Sequence, residues 1–205
     1  MLPIQRVLEA EADQIDMETC QRFIAEWKLP NMLSPSFRGR FRLPSANLSS
    51  TDPLLLNRIK TVLRRQGEGK VCWACSLDND SCRQLAGNTA KHGLAAHEFW
   101  VWDDERHVRT MVAIRFLCFD CHFLAEDDII WTISAGASGM DLRRIEKFCT
   151  VNQCTVAQMM AQVRYAQHLF EQRAMVSDWQ VDLLPVQGLI EQANLRRGHP
   201  RKPQG

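Results

Sequence analysis

The sequence has no apolar run long enough to cross a bilayer and no N-terminal stretch patterned as a secretory signal, so neither a membrane span nor an oxidising compartment is expected. A reducing interior, the cytoplasm, is the expectation. The chain also lacks a Walker-type phosphate loop, a dinucleotide fingerprint and a Ser-centred nucleophile elbow, which takes weight away from nucleotide-driven and acyl-transfer chemistry. No tandem repeat is present, so a solenoid is disfavoured. Charge of one sign is missing too: 25 Lys and Arg against 24 Asp and Glu leave +1 over 205 residues, and nucleic acid is not argued from charge alone.

What is present is an ordinary globular composition, 45% apolar and 24% charged, in a chain long enough to bury a core. The near-zero net charge hides an uneven distribution. Basic residues gather at Arg38–Arg42, Arg58–Arg65 and Arg196–Lys202, acidic ones at Glu9–Glu18 and Asp103–Glu105.

Cysteine carries the clearest signal. Of the eight, four fall into Cys72-Trp-Ala-Cys75 and Cys118-Phe-Asp-Cys121, two C-x-x-C pairs in the pattern by which two short knuckles each give two thiolates to one tetrahedral Zn²⁺. A structural Zn²⁺ held by Cys72, Cys75, Cys118 and Cys121 is therefore expected. Cys20 and Cys149 recur with apolar residues at helical spacing and read as small buried hydrophobes, whereas Cys82 lies in a polar loop and is less settled.

In chain order, Asp16 caps a helix to Trp27 with Cys20, Phe23, Ile24 and Trp27 on one face. A Pro-, Ser- and Asn-rich stretch follows. It contains Phe37-Arg38-Gly39-Arg40-Phe41-Arg42, where an extended backbone puts Arg38, Arg40 and Arg42 on one face and the phenylalanines on the other. Such a face can clamp phosphates and stack on bases, or it is an edge strand with one anchored side. Asp52-Pro53 starts a second helix, whose outer face carries Arg58, Lys60, Arg64 and Arg65 and is open to a nucleic-acid backbone or to solvent.

Residues 78–93 read as a loop with a short helical turn, Leu94–Trp102 and Arg106–Phe116 as the strands of a hairpin. On the first strand His97, Phe99 and Val101 face one way, and Ala96, Glu98, Trp100 and Trp102 the other. Trp100 and Trp102 fit a core, Trp73 a more exposed position. The second knuckle opens a helix. Residues 129–133 are apolar and β-branched, and 135–139 form a flexible turn. Asp141 then caps a helix burying Leu142, Ile145, Phe148 and Cys149, and Thr155 with Gln158 makes a capping box for a longer one with Val156, Met159, Met160, Val163, Ala166 and Phe170 in a stripe. His92, before Gly93, reads either as an added ligand near the site or as a solvated loop histidine, whereas His107 and His168 lack ligand-spaced companions.

Cys72-x-x-Cys75, a strand carrying Ala96-His97-Glu98-Phe99-Trp100, a hairpin, and Leu117-Cys118-x-x-Cys121-His122 together resemble the zinc-containing HNH endonucleases of the ββα-metal fold. The likeness extends into the helical tail, where Val151-Asn152 and Trp179-x-x-Asp182-Leu183 are similar to bacterial and phage members. It implies His97 as the general base that activates water for attack on a phosphodiester, and His122 as a ligand of a catalytic Mg²⁺ or Mn²⁺. Ala96 stands where the family has a further metal ligand, and Ala113 where an asparagine orients the base. Glu98, beside His97, and Glu126, one helical turn after His122, are the carboxylates on hand to complete a cation site.

The expected architecture is α+β: a zinc-stapled, HNH-like ββα core with four cysteine ligands over residues 67–134, a helical N-terminal region over 1–66 with its basic extended segment, a C-terminal helical region over 135–194 packed on the core, and a disordered basic tail over 195–205. Two functions follow from it. One is a divalent-metal-dependent endonuclease; the other is a catalytically silent zinc module that binds nucleic acid, DNA before RNA, or a protein partner or second copy within a larger assembly.

Overall fold

A computed structural model describes residues 10–26, 53–85, 93–125 and 139–195. The expected basic segment with Arg38, Arg40 and Arg42, the apolar 129–133, Glu126 and the tail beyond Leu195 lie outside them. The described chain is α+β: helices α1 (Met17–Glu26), α2 (Pro53–Arg65) and α3 (Asn79–Leu85), strands β1 (Ala95–Asp103) and β2 (Val108–Leu117), helices α4 (Phe119–Ala125), α5 (Gly139–Asn152) and α6 (Val156–Ala174), strand β3 (Gln180–Asp182), a 3₁₀ turn at Leu184–Val186, and α7 (Gln187–Leu195).

The helix starts follow local chemistry. The Thr19 amide donates to Asp16 Oδ1 at 2.7 Å, satisfying one of the donors a helix start leaves open, and Cys20 is buried at 2% exposure. α6 carries the full capping box between Thr155 and Gln158. Its middle is buried nearly all round: Met159, Met160 and Val163 are joined by Ala161, Gln162 and Tyr165, so the helix is a core element rather than one with a single stripe.

β1 and β2 form the expected antiparallel hairpin, closed by an Asx-type turn in which the Arg106 amide donates to Asp103 Oδ1 at 2.9 Å. The register slips by one residue between Phe99 and Trp100, where Val112 is the extra residue on β2. The slip has a hydrophobic cause. Strict alternation from Phe116 and Ile114 would turn Val112 inward and Met111 outward, whereas the bulge buries Met111 completely and leaves Val112 exposed. Ala96, Glu98, Trp100 and Trp102 therefore share the face of Phe116, Ile114, Met111 and Arg109, while His97 and Phe99 share the other with Arg115 and Ala113.

The C-terminal region holds a strand besides its helices: β3 adds to β2 in parallel, with Val108 opposite Gln180 and Thr110 opposite Asp182. Trp179 anchors it: its ring stands edge-on to Trp102 at 4.8 Å and its Nε1 donates to the Arg173 carbonyl at 3.0 Å. The α5 start is earlier than the expected Asp141, and Leu142 is exposed rather than buried. α5 instead turns Phe148 and Arg144 inward, because α4, on which it packs, presents a carboxylate as well as apolar surface.

One apolar cluster runs from Ile59 and Leu63 on α2 through Met111, Ile114 and Phe116 on β2 to Phe148 and Met159. α7 packs on α2, α1 on α6, and α5 on α4 and α6, so the hairpin and the cysteine segments are held between helices from both ends of the chain.

Candidate metal centre

The first knuckle is set by backbone geometry around Cys72. Gly67 and Gly69 take positive φ, and a Cβ on Gly69 would stand 3.2 Å from the Phe116 ring, so glycine answers both strain and space there. Cys72 N–H donates to Leu77 O and Ser76 N–H to Cys72 O, each at 2.8 Å, folding the loop back on itself with Ser76 at φ 61°. Trp73 N–H donates to Phe116 O at 2.9 Å, which stitches this knuckle to the end of β2, two residues before Cys118. Cys118 and Cys121 then flank the start of α4.

The two knuckles bring the four sulfurs together, all within 4.8 Å of one another, with Cys75 and Cys118 at 4.0 Å. A tetrahedron with metal–sulfur bonds of about 2.3 Å has edges of about 3.8 Å, so the donor set fits a metal ion such as zinc. Cys72 and Cys121 are fully buried, Cys118 nearly so and Cys75 half-buried. Hydrogen bonds from Cys121, Cys72 and Cys75 hold the Cys118 thiol well below the usual range, while Cys121 is pushed up, first by Cys118. Crowded thiols share protons in this way, and a cation takes the place of those protons.

Basic side chains from α5 close over the cluster. Lys147 Nζ donates to Cys118 Sγ at 3.3 Å and lies 3.5 Å from Asp120, the residue inside the second C-x-x-C. Burial pulls its pKa down, but Cys121, Cys118, Cys75 and Asp120 outweigh that and raise it. Arg144 pairs with Asp120 at 3.6 Å and sits over the Phe123 ring at 3.8 Å. A four-thiolate zinc carries two net negative charges, which Lys147 is placed to offset. Cys82, in the segment read as a polar loop, is buried on α3 with its Sγ 3.9 Å from Cys75 Sγ. Sequence reasoning missed Lys147 and Arg144, which are far from the cysteines along the chain, and left Cys82 open; nothing in their local spacing marks them.

His97 and His122 come together, their rings 5.1 Å apart and nearly perpendicular, in a row of edge-on rings that continues through Phe99 to Trp73. Burial, with His122 second, takes the His97 pKa down to about 3. His122 is lowered too, by burial and then by Lys60, with Cys118 opposing. Glu98 is on the other sheet face, where it supports the charge of buried Arg109, itself over the Trp100 and Trp102 rings. Arg65 is exposed, and Arg64 is exposed with its guanidinium 5.3 Å from the Phe116 ring centre. Among the described residues, the four cysteines are the one group of three or more His, Cys, Asp or Glu able to hold a metal, and no helix is long and apolar enough to cross a membrane.

Fold and site thus define an α+β chain with a small three-stranded sheet and a four-cysteine cluster able to hold a metal ion such as zinc. Comparison with protein-family models, with curated proteins and with solved structures finds no match.

Proposed function

We propose that this chain is a nucleic-acid-associated zinc protein of HNH type that hydrolyses phosphodiester bonds with a divalent cation. The observation that carries the reading is the meeting of His97 and His122 on the sheet face next to the four-cysteine cluster. Both imidazoles are kept neutral, as a base and a metal ligand require. His97 takes the proton of the attacking water. His122 would hold Mg²⁺ or Mn²⁺, which would stabilise the leaving oxygen; Glu126, one helical turn on in the sequence and outside the described residues, is the carboxylate the sequence offers as the oxygen ligand a hard cation needs. Arg64 and Arg65, with Arg38, Arg40 and Arg42, track the phosphates of nucleic acid, DNA by the resemblance.

A second reading, a catalytically silent zinc module that binds nucleic acid, a protein partner or a second copy, is favoured by two observations. Ala113, on the His97 face opposite Phe99, has no side chain to orient an imidazole. A histidine that protonates only near pH 3 is also a weak base at neutral pH. The deciding experiment is cleavage of single- and double-stranded DNA and of RNA with Mn²⁺ by wild type and His97→Ala, with zinc content measured in both. A loss of about 10²-fold or more at unchanged zinc supports the nuclease. Equal residual rates point to the silent module.

A further inference from the structure

Cys82 is a fifth sulfur at the metal centre, and its placement is selective. Of the four candidate ligands only Cys75 is half-exposed; Cys72 and Cys121 are sealed, and Cys118 is sealed and engaged by Lys147. Cys82 Sγ stands 3.9 Å from Cys75 Sγ and is aimed by the Leu77 carbonyl, which accepts from Cys82 Sγ at 3.7 Å and from the Cys72 amide at 2.8 Å. A disulfide needs about 2.05 Å, so the Cys75 and Cys82 sulfurs have to approach by about 2 Å to close the gap.

We propose that Cys75 and Cys82 are a peroxide-sensitive thiol pair whose disulfide removes one ligand from the four-cysteine centre and lets its metal go. The Cys75 thiolate attacks one oxygen of a hydroperoxide such as hydrogen peroxide; an S–O bond forms, the O–O bond breaks and hydroxide leaves, giving the sulfenic acid. Cys82 sulfur then attacks that sulfur; the S–S bond forms, the S–O bond breaks, and the Cys82 proton leaves with the oxygen as water. Two sulfurs are oxidised by two electrons, and one peroxide is reduced to hydroxide and water. The centre is left with three thiolates, and a thiol reductant restores the fourth. The inference rests on the four cysteines holding a metal, and is independent of whether nucleic acid is cleaved.

The test uses the full chain as purified, with metal content measured first so that an empty centre is told apart from a failed switch. Hydrogen peroxide is added, released zinc is followed with a chromogenic chelator, and remaining thiols are alkylated before peptide mapping; Val71–Arg83 carries Cys72, Cys75 and Cys82 on one tryptic peptide. The expected product is a Cys75–Cys82 disulfide with Cys72 alkylated, and dithiothreitol with zinc restores the metal. In Cys82→Ser the disulfide is absent, and Cys75 collects as sulfinic acid that dithiothreitol does not reverse. Wild-type protein that pairs Cys72 with Cys75 or Cys118 with Cys121 instead, or that keeps its metal and thiols under peroxide, overturns the proposal. So does equal recovery of metal in wild type and Cys82→Ser. Mapping of the wild type decides the matter even if the variant does not fold.

Discussion

Replacing Lys147 by Met keeps the apolar stem and removes the ammonium that faces Cys118. At the observed 3.3 Å and an effective dielectric of about 20, the gross attraction of one lysine for one thiolate is about 5 kcal/mol. Burying an ammonium takes back several kcal/mol of that. Asp120, shared between Lys147 and Arg144, keeps its arginine partner in the variant and softens the loss further. A net of about 2 kcal/mol remains, or roughly thirtyfold in metal affinity, within the 10–100-fold typical of groups that support a metal's own ligands. Competition with a chelator of known zinc affinity measures it. Lys147→Arg, which keeps the charge, recovers most of the loss. A Lys147→Met protein with wild-type affinity refutes the claim that α5 neutralises the centre, and leaves Lys147 as a partner of Asp120 alone.

Two further outcomes follow from geometry. Because the folded pKa of His97 lies near 3, below the ordinary 6.5, the unfolded chain binds the extra proton first; stability from keeping His97 neutral is full above pH 6.5 and is lost as pH falls towards 3. Denaturant melts from pH 6.5 to 5 lose about 2 kcal/mol from this group, and His97→Gln removes that share; a variant with the wild-type slope contradicts the burial of a neutral imidazole. Gly69→Ala puts a Cβ on a residue at φ 81° and 3.2 Å from the Phe116 ring, so it costs about 1–2 kcal/mol in the same melts, whereas no change there means the knuckle entrance relaxes freely.

Legibility in the sequence tracks the range of the interaction. Asp16 and Thr155 were readable as caps because a cap and the amide it satisfies are three residues apart. The hairpin and the faces of β1 were readable because alternation is a local rule, and His97 with Phe99 on one side and Glu98 on the other is what period 2 requires. Leu142 was misread for the opposite reason. Its helical spacing with Ile145, Phe148 and Cys149 is real, yet the inward face of α5 also serves a carboxylate on α4, and no periodicity encodes that partner. The bulge at Val112 likewise depends on which of two neighbouring apolar residues the core accepts.

By itself the sequence determined the four-cysteine frame, the two helices that precede and follow the Arg38–Arg42 stretch along the chain and the order of knuckle, hairpin, knuckle and helix, since spacing, capping and alternation act over a few residues. Only the tertiary structure decided what surrounds the sulfurs. Lys147 and Arg144 reach the second knuckle, Cys82 turns back onto Cys75, β3 joins β2 and His97 meets His122 because packing brings distant segments within a few ångströms, and a chain carries no local mark of a neighbour it meets only when folded.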